Sequence, residues 1–190
     1  MRAFIALLPP AEVGTELDHF LDPRQEALAP RGHWRWTRPE HRHLTLAFLP
    51  ELEEWREESL VEAGEEWAAR TRPVRLALRG AGAFPDPGAA RVLWAGVEQS
   101  DPGSLESWAQ SLRALSSRAG ARVDGTRFAP HLTLARAVGR PRAAGHLLQA
   151  LDTVHTSPWV VDEICLVRSE LGQGPGGTPR YAVRHTWTVR

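Results

Sequence analysis

The chain has no lysine: all 23 of its basic residues are arginine. That excludes a P-loop, which needs a lysine on the phosphates. It also excludes Schiff-base chemistry and any ligase that carries a nucleotide on a lysine. Asparagine is missing too, so there is no N-glycosylation site. A lone cysteine, Cys165, has no partner for an intrachain disulfide, which points to a cytoplasmic protein. Long apolar runs are also lacking. The first, Phe4 to Leu8, stops at Pro9 and Pro10. A signal-peptide core needs about 7–15 apolar residues and a membrane-spanning helix about 20, so the segment reads as an opening strand. Neither sign of charge is in surplus, since 23 acidic residues balance the arginines. Coating of nucleic acid by bulk electrostatics is thereby excluded.

What is present suits a globular chain. With 190 residues, 42% hydrophobic and 24% charged, it can form one compact domain or two small lobes sharing a core. Charge is uneven along it. Glu51 to Glu66 is acidic, whereas Arg122 to Arg142 is basic through Arg127, Arg136, Arg140 and Arg142, which places an anion-binding surface near the second stretch. Periodicity predicts a strand at Arg2–Leu8, a helix from Ala11 to Leu21 and a strand at His43–Leu49. A helix follows with Leu52, Trp55, Leu60, Ala63 and Trp67 on its apolar stripe, then strands at Val74–Leu78 and Arg91–Val97. The second half predicts a helix at Ser104–Ala119 and a strand at Phe128–Ala135. A helix around Leu147, Leu148 and Leu151 comes next, with strands at Val160–Arg168 and Tyr181–Val189. The glycine-rich Gly172–Gly177 reads as a turn, since no helix follows it to bind phosphate. This alternation in both halves argues for an α+β or α/β fold of two related lobes.

An internal repeat carries the chemistry. His43-Leu44-Thr45-Leu46-Ala47 recurs unchanged as His131-Leu132-Thr133-Leu134-Ala135. On a strand, residues two apart share a face, so each motif offers leucines to a core and an imidazole beside a hydroxyl to the other side. If the lobes are related by a pseudo-twofold axis, both polar faces meet at one cleft. Imidazole titrates near neutrality, so one ring can take a proton from water while the other, as imidazolium, protonates a leaving oxygen. Threonine hydroxyls can donate to phosphoryl oxygens. The scheme requires no metal and no cofactor.

Trp34-Arg35-Trp36 with Arg38-Pro39-Glu40, His43 to Leu49, and Pro130 to Arg136 resemble the 2H phosphoesterases, and within them the RNA 2′,3′-cyclic phosphodiesterases, also called 2′-5′ RNA ligases. The resemblance extends through Arg2–Pro10, Val92–Gly96, Leu166–Glu170 and Tyr181. It implies an α+β fold over 1–190, a single domain of two interleaved lobes. Each lobe has an antiparallel-rich sheet, and together they flank a central cleft with motifs at 43–46 and 131–134. It also implies a substrate, RNA ending in 2′,3′-cyclic phosphate, opened to a 2′-phosphate, with 2′-5′ ligation as the reverse-type reaction. In that scheme His43 is the proton donor, His131 the acceptor, and Thr45 and Thr133 hold phosphoryl oxygens. Arg136 maps onto a phosphate-binding arginine, suited to it by fixed, bidentate donors. Phe48, Phe84 and Tyr181 are candidates to stack on the terminal base. Strict alternation turns Arg136 away from His131 and Phe48 toward the core, so for the arginine the strand must end or bulge, or the side chain must wrap round. Pro50 stands where the family has glycine.

A 2H phosphodiesterase acting on small cyclic nucleotides is the alternative within the same resemblance, and two other readings compete. His33, His41 and His43 are close in sequence and offer metal ligands, though this leaves His131 unused. Eight tryptophans and local arginines suit a non-catalytic RNA-binding surface, though Trp55, Trp67 and Trp108 fall on core stripes. Cys165, between Ile164 and Leu166, reads as a buried structural thiol. No obligate protein partner and no membrane contact are implied.

Overall fold

The computed structural model describes residues 1–28 and 32–190. The opening apolar run forms β1 (Ala3–Leu7), every residue of it buried, followed by α1 (Ala11–Leu28). Then come β2 (Trp34–Trp36), β3 (Leu44–Leu49), α2 (Glu57–Ala68), β4 (Val74–Phe84) and β5 (Val92–Gln99). The second half holds α3 (Ser104–Arg118), β6 (His131–Ala137), α4 (Gly145–Leu151), β7 (Trp159–Val161), β8 (Glu163–Glu170) and β9 (Arg180–Thr188). Four strands build one sheet in the order β3-β1-β8-β9, and five build the other as β2-β6-β5-β4-β7. Every strand pairing is antiparallel. The fold is α+β, and the orders β3-β1-β8-β9 and β6-β5-β4-β7 correspond, with a motif strand first in each. β2 adds itself beyond β6. Each sheet thus draws on both halves of the chain.

The structure differs from the sequence expectation at four places. Helix α1 runs through Pro23 to Leu28. Proline there deletes one N–H, and the next residue ties the helix down beyond it, the Arg24 guanidinium donating to the carbonyls of Phe20 and, in α4, Ala150, both at 2.6 Å. Trp55 is not on a core stripe. It lies in a 3-10 turn, 72% exposed, with the Arg56 guanidinium 4.2 Å above its ring. The expected Val160–Arg168 strand breaks at Asp162, so that β7 pairs with β4 and β8 with β1, in different sheets. Trp34–Trp36, quoted only for resemblance, forms a strand of the second sheet.

Helix α3 buries Leu105, Trp108, Leu112 and Leu115, the predicted stripe. Trp108 meets Trp67 of α2 edge to face at 5.6 Å, joining the two helices. Farther along α2, the wholly buried Trp187 of β9 lies over Gly64 and donates its indole N–H to the Val61 carbonyl at 3.0 Å. A β-carbon at residue 64 would sit 2.3 Å from that indole. Gly64→Ala should therefore destabilise the protein by about 1–3 kcal/mol through overpacking, despite alanine's better helix propensity. Urea denaturation with an unchanged m-value is the check, and a variant as stable as wild type would show that the ring is free to shift.

Candidate active site

Both motifs bulge at the same residue. In the β1–β3 ladder Ala6 faces Thr45 and Ile5 faces Ala47, leaving Leu46 unpaired. In the β5–β6 ladder Trp94 faces Thr133 and Leu93 faces Ala135, leaving Leu134 unpaired. Leu46 and Ala47, like Leu134 and Ala135, are buried to within 1%, so two successive side chains enter the core at each bulge. The closing alanine of His-Leu-Thr-Leu-Ala is small enough for that to fit. The extra residue resets alternation. Phe48 consequently returns to the face of Thr45, paired with Phe4, and Arg136 returns to the face of Thr133, paired with Val92. The bulge that Arg136 requires is present. The core position expected for Phe48 is not: it is half-buried beside Phe4 and Tyr181, with the Arg2 guanidinium 4.5 Å from its ring centre.

The two histidines are held alike. The Nδ1–H of His43 donates to the carbonyl oxygen of His41, and that of His131 to the carbonyl of Ala129, both at 2.7 Å. A carbonyl only accepts, so each neutral ring carries its proton on Nδ1 and keeps Nε2 unprotonated. Aromatic rings hold the imidazoles in orientation. Phe4 stacks on His43 at 4.6 Å and 23°, and Tyr181 meets it edge-on at 5.5 Å. Phe84 meets His131 edge-on at 4.9 Å. Before the first motif, the buried Arg42 points the opposite way and pairs with Asp18 of α1 at 2.6 Å, which anchors the turn carrying His41.

A cleft of about 320 Å³ lies between the sheets. His43 and Tyr181 line it from one sheet, and Thr133, Arg136 and Arg35 from the other. Trp36 and Arg38 continue that wall, His41 stands beside Tyr181 at 4.8 Å, and the Pro175–Pro179 segment of the β8–β9 connection forms a rim. Thr45 and His131 lie on the same sheet faces but outside this lining. His131 is nonetheless near enough for its charge to act on His43. Burial is the largest cause pushing the His43 pKa down to about 4, with the charges of Arg136, His131 and His41 adding to it. His131 is also lowered, first by burial and then by Arg136. Burial raises the Tyr181 phenol.

These shifts have a consequence for folding. A histidine whose pKa is lower folded than unfolded binds its proton more readily in the unfolded chain. The His43 contribution to stability is therefore complete above pH 6.5 and is lost as pH falls from 6.5 to about 4. The full loss is about 3 kcal/mol. His43→Gln should flatten the stability profile between those limits, measured by denaturation at several pH values. A profile as steep as wild type would assign that dependence to other groups.

Some expectations about the site need correction. The cations of the cleft do not all come from the Arg122–Arg142 stretch, because β2 brings Arg35 and its neighbour Arg38 to Arg136. Arg140 and Arg142 line a separate surface groove with His33 and Trp34. His33 is thus apart from His41 and His43, and among the described residues no group of three or more His, Cys, Asp or Glu side chains is placed to hold a metal ion. The glycine-rich turn borders the cleft, with Gly176 in the left-handed region at φ 67°. Arg35, Arg38 and His41 line the cleft although periodicity did not assign them to it; the signal for Arg35 and Arg38 was their place in the tryptophan-arginine flank of the first motif, and His41 stood out only as a candidate metal ligand. Cys165 is buried on the same sheet face as Phe4 and Ala6, its thiol pKa raised by burial. No helix among the described residues is long and apolar enough to cross a membrane.

Fold and site together define a bilobal two-histidine protein, one His-x-Thr strand from each of two antiparallel sheets around a basic cleft. The chain belongs to the 2′-5′ RNA ligase superfamily, whose profile matches residues 13–173. It is 34% identical to an RNA 2′,3′-cyclic phosphodiesterase of Thermus thermophilus, over all of this chain and 91% of that protein. A namesake from Aquifex aeolicus is 30% identical over 72% of this chain and 73% of its own length. Among solved structures, one from Thermus thermophilus superimposes with a TM-score of 0.78, covering 100% of this chain and 98% of that one at 34% identity. Escherichia coli LigT complexed with 3′-AMP gives 0.76, covering 99% and 97% at 26% identity.

Proposed function

We propose that this protein hydrolyses RNA ends carrying a 2′,3′-cyclic phosphate to 2′-phosphate ends by acid–base catalysis between His43 and His131, without a metal, in the cytoplasm. The single observation that carries the mechanism is the matched pair of imidazoles, each with Nδ1–H on a backbone carbonyl two residues earlier and Nε2 left for chemistry. The substrate class follows from kinship with proteins named RNA 2′,3′-cyclic phosphodiesterase.

In the step proposed, water attacks phosphorus and gives a proton to Nε2 of His131. The bond from phosphorus to the 3′ oxygen breaks, and imidazolium His43 protonates that oxygen. Burial makes His43 the stronger acid once protonated, and the negative charge of a bound phosphodiester acts the other way, favouring the imidazolium. Arg136 and the two threonine hydroxyls stabilise the phosphoryl oxygens as charge builds on them. Tyr181, at the cleft wall, and Phe48, which packs against the same Phe4 cluster, support the terminal nucleoside. The 5′ hydroxyl of a second RNA in place of water gives a 2′-5′ linkage by the same proton transfers, and water dominates unless that hydroxyl is held in line.

The test is hydrolysis of a short RNA ending in 2′,3′-cyclic phosphate with EDTA present. Release of a 2′-phosphate end supports the reading. A 3′-phosphate product would reverse the assignment of the leaving oxygen, and loss of turnover in EDTA would overturn the metal-free scheme.

A further inference from the structure

The cleft carries more positive charge than one cyclic phosphate can balance. Arg35 of β2 and Arg136 of β6 face each other directly across adjacent strands, and both are exposed and line the cleft. Among the described residues neither forms an ion pair with a carboxylate, whereas neighbouring Arg38 has Glu40 at 3.9 Å. Like charges opposite one another destabilise a sheet, and anions bound beside them remove that repulsion. The backbone holding Arg35 is anchored. The rings of Trp34 and Trp36 pack against the core, and the Thr37 N–H donates to the Leu134 carbonyl at 2.8 Å.

The two arginines also differ in reach. Arg136 stands on the motif strand itself, on the face of Thr133, and after burial it lowers the pKa of both histidines, while Arg35 lies one strand farther out, on β2 at the edge of the sheet. Arg136 therefore serves the phosphate between the imidazoles, and Arg35 is left for a different anion of the same ligand. A cyclic mononucleotide with a 5′ hydroxyl has no such anion. An RNA chain does, at every linkage.

We propose that Arg35 binds the internucleotide phosphodiester next to the reacting end, so that the site selects RNA chains over cyclic mononucleotides. This rests on the cleft being the cyclic-phosphate site. Three substrates test it: a cyclic mononucleotide with a 5′ hydroxyl, a dinucleotide ending in 2′,3′-cyclic phosphate, and that dinucleotide with an uncharged methylphosphonate linkage. Wild type should prefer the charged dinucleotide in kcat/KM by about 10–100-fold, the worth of a charge-assisted hydrogen bond. Arg35→Gln should lower the dinucleotide-to-mononucleotide ratio by about tenfold or more. The methylphosphonate should penalise wild type similarly and the variant hardly at all, because each change removes the same contact. Arg136→Gln should slow both substrates and change their ratio less than Arg35→Gln does, the two arginines being close enough to couple.

An unchanged ratio in Arg35→Gln, or an equal methylphosphonate penalty in both proteins, would overturn the assignment. The wild-type comparison of linkages is independent of how the variant folds. Turnover of the mononucleotide without preference for the dinucleotide overturns the role of Arg35 alone. No turnover of any cyclic phosphate overturns the proposed reaction and this role with it.

Discussion

His43→Ala and His131→Ala should each lower kcat on RNA 2′,3′-cyclic phosphate by about 10²–10⁴-fold, the usual worth of one positioned proton transfer. The losses should not multiply. Once one ring is gone, the concerted transfer is already broken, and the double variant should be little slower than the worse single one. Residual turnover comes from Arg136 and the threonines, which still favour the developing charge. Folding is the necessary control, particularly at His43, whose ring fills space between Phe4 and Tyr181. Single-turnover rates at pH 7, with melting temperatures beside them, are the measurement. Either variant retaining more than about a tenth of wild-type kcat would remove that histidine from the mechanism.

Arg136→Gln carries two expected effects from one side chain. Removing a guanidinium aimed at charge that grows in the transition state should cost about 10²–10³-fold in kcat/KM, comparable to losing an oxyanion donor. It should also move the pH profile. Burial first and Arg136 after it lower both imidazole pKas, so in the free wild-type protein both rings are mostly neutral at pH 7. The reaction needs one of them protonated. Wild-type kcat/KM should therefore fall as pH rises through neutrality, approaching about tenfold per unit on the alkaline limb. In the complex the phosphate charge raises the same pKas, so the limb in kcat should lie at higher pH than the limb in kcat/KM. With glutamine at 136 the depressing charge is gone, and the kcat/KM limb should shift upward in pH. Arg136→Lys should restore the wild-type limb but only part of the rate, since lysine supplies the charge without the bidentate fork. A rate loss without a pH shift would place Arg136 on the substrate but too far from the histidines to tune them.

The sequence alone determined the elements of this argument that are local. The repeated His-Leu-Thr-Leu-Ala declared two equivalent strands, each with a polar and an apolar face, because a strand's side chains alternate whatever else the chain does. Absence of lysine excluded whole classes of chemistry outright. Stripes such as Leu105, Trp108, Leu112 and Leu115 marked a helix face that is indeed buried. The apolar pattern misled at the end of α1, which continues past Leu21 and Pro23 to Leu28 with Arg24 bonded to α4, and no local rule contains that contact. Trp55 misled in the opposite sense, since hydrophobicity alone cannot say that a 3-10 turn will hold its ring outward.

Only the tertiary structure decided which residues the motifs meet. Period-two reasoning assigns Arg136 and Phe48 to the wrong face, and an unpaired leucine in each ladder reverses both assignments. A bulge is defined by the partner strand, β1 in one case and β5 in the other, so it cannot be read from the motif itself. The same holds for Arg35, which reaches Arg136 from 101 residues away because β2 pairs with β6 and not with the neighbouring β3. Side-chain periodicity is a property of one strand; strand pairing is a property of two, and the site is built from pairs.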